Sequence, residues 1–158
     1  MIQRRPIRPA VALVKLQELC ARSEQCSHEI LERLRKWGVP DGTAAKILAL
    51  LKRDRYVDDG RYVEAFVRDK VVFNRWGRTK IRLALVQKRL PADLITDGLA
   101  GIDDDEYRQA LTDVLESKAR ALSEVGTYES RMKLLKYAVS RGFEMGLAGD
   151  MIKKLFPR

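Results

Sequence analysis

The sequence predicts an all-α protein, built as three tandem three-helix repeats that form an elongated, curved array. Three observations carry this. Aromatic residues make up only 7% of the 158 residues, while Leu, Ala, Arg, Lys and Glu are abundant, a balance that favours helix over strand. Apolar side chains recur at spacings of three and four through most of the chain. Finally, one pattern is written three times. Ile30, Leu34 and Gly38-Val39 are followed by Leu48; Ile81, Leu85 and Arg89-Leu90 by Leu99; Leu134, Ala138 and Gly142-Phe143 by Ile152, at offsets of 51 and 53 residues. Tyr62, Ala65 and Phe66 match Tyr107, Ala110 and Leu111 ahead of the second and third pairs. Self-similarity at a fixed period points to a repeat array. A unit of three short helices buries little surface alone, so neighbours must share contacts.

Residues 1–8 hold Arg4, Arg5 and Arg8 among prolines and read as a mobile basic arm. The first unit covers 9–55. Its first helix runs from about Pro9 to Arg22, since proline suits a first turn, with Val11, Val14, Leu16 and Leu19 on its apolar side. Ser27 caps a second helix that buries Ile30, Leu31, Leu34 and Trp37. Gly38 ends it, as a left-handed residue would. Asp41 or Thr43 caps a third helix, with Ala44, Ile47, Leu48 and Leu51 facing inward.

The second unit covers 56–102. Asp58 or Asp59 caps its long first helix, because a short carboxylate accepts the unpaired N–H groups of the first turn. Tyr62, Ala65, Phe66 and Phe73 form the inward stripe, and Gly77 after Trp76 stops the run. Ile81, Ala84, Leu85 and Lys88 mark the next helix. Leu94, Ile95 and Leu99 mark the one after, which ends at Gly101. The third unit covers 103–158. Asp103, Asp104, Asp105 and Glu106 open a long helix, complementing its dipole, with Tyr107, Ala110, Leu111, Val114 and Leu115 inside. Gly126-Thr127 breaks the chain. Met132, Leu135, Ala138 and Val139 follow, then the Gly142-Phe143 turn and a last helix with Ile152, Leu155 and Phe156.

Composition bounds the function. A hydrophobic share of 46% and a charged share of 34% describe a folded, soluble chain. No apolar run approaches the roughly 20 residues that span a bilayer. The basic and apolar N-terminus is broken by Lys15 and Glu18, so a signal peptide is rejected. Two cysteines, Cys20 and Cys26, make neither a disulfide framework nor a zinc site, and a reducing cytoplasm is the expected setting. The net charge is +9, a field that attracts nucleic acid or an acidic protein surface. It is uneven: 12 basic against six acidic side chains in 1–55, nine against six in 56–102, and ten against ten in 103–158.

No catalytic constellation is evident, and neither metal nor cofactor is expected. His28, the one histidine, reads as a helix-surface residue. The contiguous acids 103–106 lack the alternation and glycine of a calcium loop, so capping accounts for them. The strongest candidate surface lies between Asp69 and Asp93, where no acid occurs but Lys70, Arg75, Arg78, Lys80, Arg82, Lys88 and Arg89 do. Arg75, Arg78, Arg82 and Arg89 recur at spacings that allow one helical face. Arginine pairs bidentately with phosphate or carboxylate alike, so this face suits DNA or an acidic protein groove. Trp76 is a corner plug or an exposed anchor. Lys133, Lys136, Lys153 and Lys154 form a weaker candidate surface.

The run Tyr56-Val57-Asp58-Asp59-Gly60-Arg61-Tyr62, then Gly77-Arg78, Ile81 and Leu85, resembles the central signature of the RecX family. So do Ser27, Leu31, Leu34 and Gly38 before it and Arg141-Gly142-Phe143 after it. The resemblance spans about Leu16 to Leu155. It implies three three-helix repeats and a monomeric, non-enzymatic protein that modulates the RecA recombinase. The expected partner is the RecA filament on single-stranded DNA, with non-specific affinity for single- and double-stranded DNA and inhibition as the outcome. It also implies structural roles for Asp58, Asp59, Arg61, Tyr62, Gly38, Gly77 and Gly142. Three positions depart from the family pattern: Gly60 stands for an acid, Ala84 for Glu, and Arg89 for the corner Gly. The rival reading is a stand-alone helix-turn-helix-like DNA-binding protein or transcription regulator.

Overall fold

The computed structural model describes residues 5–158, so Arg4 and the start of the expected arm lie outside it. The described residues form nine helices and no strand: α1 (Pro9–Arg22), α2 (Ser27–Lys36), α3 (Asp41–Arg53), α4 (Asp59–Val72), α5 (Arg78–Gln87), α6 (Ala92–Ala100), α7 (Asp104–Arg120), α8 (Tyr128–Ser140) and α9 (Met145–Leu155). The architecture is all-α, a helical repeat array, as the sequence predicts. None of these helices is long and apolar enough to cross a membrane.

The corners recur as expected. Val39, Leu90 and Phe143 are buried, and each donates its N–H five residues back, to the carbonyls of Leu34, Leu85 and Ala138 at 3.0, 3.3 and 3.1 Å. The residue before each lies in the left-handed region: Gly38 at φ +76°, Arg89 at +56° and Gly142 at +98°. Such a turn satisfies carbonyls that the helix end leaves unpaired. Arg89 holds the corner although L side chains disfavour that region by roughly 1–2 kcal/mol.

The apolar core is not one centre. The first cluster joins Ala12, Leu16, Ile30, Leu34, Val39, Ala44, Ile47, Leu51 and Val57, all from the first three helices, the corner between α2 and α3, and the turn after α3. A second, larger cluster runs from α4 to α9 without a break and includes Tyr62, Val67, Ile81, Leu85, Tyr107, Leu111, Leu115, Leu134 and Phe143. Of the first unit, only Cys26 reaches into it.

Several expected faces are rotated. On α1 the buried residues are Ala12 and Leu16, while Val11 and Val14 are about half exposed. On α4 the inward stripe is Tyr62, Val63, Val67 and Val71, because α6 and α7 both cover that side; Phe73 is 77% exposed. On α8 Leu134 and Ala138 face inward and Val139 faces out. Helix α4 ends at Val72, ahead of Gly77, which is instead the residue before α5 with an ordinary φ of −82°. Ser27 is the first residue of α2 and not its cap, and neither Asp41 nor Thr43 caps α3 through its side chain. Residues 6 and 7 of the expected arm are held down: Ile7 N–H donates to the Trp37 carbonyl at 3.1 Å.

Candidate partner-binding surface

Four of the basic candidates, Arg75, Arg78, Lys80 and Lys88, are engaged within the molecule, three of them in ion pairs at two joints. At the joint between α1–α3 and α4–α6, Asp58 caps its own helix, accepting from Arg61 N–H at 3.0 Å. Asp59 serves a different helix. Its carboxylate accepts from Ser27 N–H at 2.8 Å and Ser27 Oγ–H at 2.7 Å, so it caps α2 from across the chain. Negative charge there complements the α2 dipole. Arg61 donates to Glu24 at 2.6 Å and to the carbonyls of Arg55 and Tyr56. Glu29, on the first turn of α2, accepts from Tyr62 Oη–H at 3.2 Å and Lys88 Nζ at 2.5 Å.

These contacts shift the groups that make them. Burial, and then the Glu29 carboxylate, push Tyr62 up to about 12. Burial works against the charge on Lys88, but its hydrogen bonds, to Glu29 above all, outweigh that and raise it to about 12. Burial also pushes the thiols of Cys20 and Cys26 above their ordinary value, away from reactive thiolate.

At the joint between α4–α6 and α7–α9 the backbones meet. Gly77 N–H donates to the Arg141 carbonyl at 2.8 Å, and Thr79 N–H to the Gly142 carbonyl at 3.1 Å. A Cβ on Gly77 would lie 2.2 Å from the Gly142 carbonyl. The buried Tyr107 hydroxyl accepts from Arg78 N–H at 3.0 Å and donates to Glu144 at 2.9 Å. Burial raises the Tyr107 pKa, and the Glu144 carboxylate adds to that against the Arg78 donation. The Arg78 guanidinium stacks 4.0 Å from the Tyr107 ring centre and reaches Glu144 at 3.5 Å. Arg75 pairs with Asp113 at 3.3 Å, and Arg141 donates to the Asn74 carbonyl.

The expected single arginine face is therefore broken up. Arg75 and Arg89 lie outside α5 at positive φ, and Arg78 is spent on Tyr107 and Glu144. Lys80 and Lys70 flank the ring of half-buried Trp76, at 4.6 and 4.7 Å from its centre. Trp76 is thus a corner residue packed on the core. Among the described residues Arg82, Arg89, Lys133, Lys136, Lys153 and Lys154 make no ion pair within 4.0 Å. Arg82 stands on the outer side of α5 beside Leu83 and Val86, which are 60% and 55% exposed.

Two grooves flank this unit. One, about 790 Å³, lies where α2 faces Tyr62 and α5, and is lined by His28, Glu29, Glu32, Trp37 and Lys88 among others. The other, about 710 Å³, lies over α4 and α6, with Glu64, Asp97, Asp103 and Glu106 at its edge. No group of three His, Cys, Asp or Glu side chains among the described residues could hold a metal ion. Sequence reasoning missed Glu29, Asp113 and Glu144, the acids that pair with basic candidates, and Glu24, which holds Arg61. The paired positions of Tyr62 and Tyr107 were the available signal, since each buried hydroxyl needs a partner.

Residues 58–99 match the family model described as RecX, second three-helix domain. The chain is 27% identical over 149 residues to the regulatory protein RecX of Clostridium botulinum strain Alaska E43, covering 90% of this chain and 69% of that one. It is 25% identical over 129 residues to the regulatory protein RecX of Clostridium beijerinckii, covering 80% of this chain and 60% of that one. Its fold superposes on the crystal structure of RecX from Lactobacillus salivarius with a TM-score of 0.82 at 18% identity, over 93% of this chain and 96% of the other. Residues 58–99 thus carry the RecX second three-helix domain, and the chain is similar to RecX proteins over most of its length.

The matched segment starts at the α4 cap and ends on α6, so it contains the residues of α4 and α5 that reach both joints. The chain's departures from the RecX pattern are absorbed locally. Gly60 sits on the first turn of α4 near Asp58 and Leu94. Arg89 keeps the corner by adopting the left-handed conformation that glycine would take freely.

Proposed function

We propose that this protein is a member of the RecX family that binds the RecA–single-stranded DNA filament and inhibits RecA ATPase, strand exchange and filament growth in recombination and DNA repair. It acts by binding, as a cytoplasmic monomer, and the turnover it alters is its partner's. The observation that carries the reading is extent: a relative named regulatory protein RecX aligns along 90% of the chain, far more than one three-helix module. An array of linked units favours a polymeric partner, because several weak contacts add through effective concentration. The net charge of +9 adds affinity for an anionic polymer and makes it salt-dependent.

The DNA-binding rival draws less support. In a helix-turn-helix the second helix of the motif enters the major groove. The α6 segment, last of the family's second three-helix domain, carries Asp93 and Asp97 and no basic residue. Adding the protein to RecA on single-stranded DNA and following ATP hydrolysis tests the proposal. Stoichiometric amounts should suppress turnover; an unchanged rate would overturn it. A footprint on a defined duplex without RecA would favour the rival.

A further inference from the structure

We infer that the outer face of α5 docks against protein and not DNA, taking an acidic and partly apolar patch on the filament's protein surface. This rests on the filament reading above and specifies which component that face touches.

The geometry is simple. Ile81 and Leu85 turn one side of α5 fully into the core. The opposite side presents Thr79, Arg82, Leu83, Val86 and Gln87 to solvent. Leu83 and Val86 lie one turn apart, so they form a continuous aliphatic strip, with Arg82 beside it. No acidic residue occurs anywhere from 70 to 92 to neutralise this side. Four neighbouring cations are engaged, Arg75 with Asp113, Arg78 with Glu144, Lys88 with Glu29, and Lys80 over Trp76, while Arg89 stands past the end of the helix at its corner. Arg82 keeps its full charge for an external anion.

The chemistry of the strip selects the anion's source. A phosphate backbone accepts from Arg82 but gains nothing from two aliphatic side chains, which phosphate contact leaves facing charge and water. Grooves that hold single strands stack bases on aromatic rings, and this face carries none. A protein surface supplies both complements: a carboxylate that pairs with the guanidinium in two parallel bonds, and apolar side chains that leave water together with Leu83 and Val86. Arginine beside buried aliphatics in a small central cluster is how protein interfaces concentrate their affinity.

The test replaces Leu83→Gln together with Val86→Gln, since glutamine keeps helix propensity while removing the strip. Binding is measured by co-sedimentation with RecA filaments on oligo-dT held by a slowly hydrolysed ATP analogue, and by anisotropy with bare oligo-dT. Expected are a loss of filament affinity of about tenfold or more and unchanged affinity for bare oligo-dT. Unchanged filament binding overturns the inference alone. Equal weakening on filament and bare strand overturns it in favour of a DNA-facing α5. A wild-type protein that binds no filament defeats the functional reading and this inference with it. Should the double variant lose helicity, Leu83→Ala is read the same way, with a loss of about threefold or more expected.

Discussion

The two joints of this molecule share polar links but differ in what lies beneath them. Between α4–α6 and α7–α9, apolar side chains run through without interruption, and the backbones touch at Gly77 and Gly142. Between α1–α3 and α4–α6 the cores are separate but for Cys26, and the bridge is chiefly polar: Asp59 on Ser27, Arg61 on Glu24, and Tyr62 and Lys88 on Glu29. The same repeat corner therefore supports a fused pair and a latched single unit. A buried apolar seam separates only by exposing surface to water. A rim of charge-assisted bonds responds to salt and pH and can open locally. The difference teaches that a repeat fixes the unit and leaves the spacing material between units free to vary.

The fused joint is the place for the largest effect. Gly77→Ala puts a methyl group 2.2 Å from the Gly142 carbonyl, so the corner must move; denaturant unfolding should show a loss of about 3 kcal/mol or more. If Gly77→Ala is tolerated, the close approach does not hold this joint together. Next in size, Asp59→Ala removes the acceptor at the start of α2 and should lower stability by about 1–2 kcal/mol. Hydrogen exchange should rise in 9–55 and stay unchanged in α7–α9; uniform loss of protection would erase the contrast.

Alkali should sharpen the same contrast. Lys88 ionises near 10.5 when unfolded and near 12 when folded. The stability it contributes is thus fully present below pH 10.5 and is lost as pH rises through about 12. Tyr62, raised from 10.0 to about 12, acts in the same direction, since the unfolded chain gives up its proton first. Stability should fall between pH 10 and 12 in the wild type, and less steeply in Lys88→Met; identical pH profiles would remove Lys88 from the joint. The smallest effect expected is a gain. Arg89→Gly relieves a left-handed arginine at a corner and should stabilise by about 0.5–1 kcal/mol, read as a rise in Tm.

Much of the fold was legible because its signals are local. Helix positions, a capping acid at 58 or 59 and another within 103–106, and the corners at Val39, Leu90 and Phe143 follow from spacing, turn chemistry and self-comparison. The rotated faces of α1, α4 and α8 were not legible, because which side of a helix is covered depends on neighbours distant in sequence. The candidate surface was legible only as composition. A count of basic residues between 70 and 92 cannot see Glu29, Asp113 and Glu144, which fold in from other units and occupy Lys88, Arg75 and Arg78. What remains after that pairing is a smaller and more apolar face than the sequence suggests.

The carboxylate that Asp59 lends to α2 also bears on the order of events during synthesis. The first two helices are synthesised before residue 59 exists, so α2 lacks that acceptor for its leading N–H groups until the chain has grown further. Its final anchoring waits for the chain to reach α4, and an interrupted message that stops short of that point would yield an unfinished first unit.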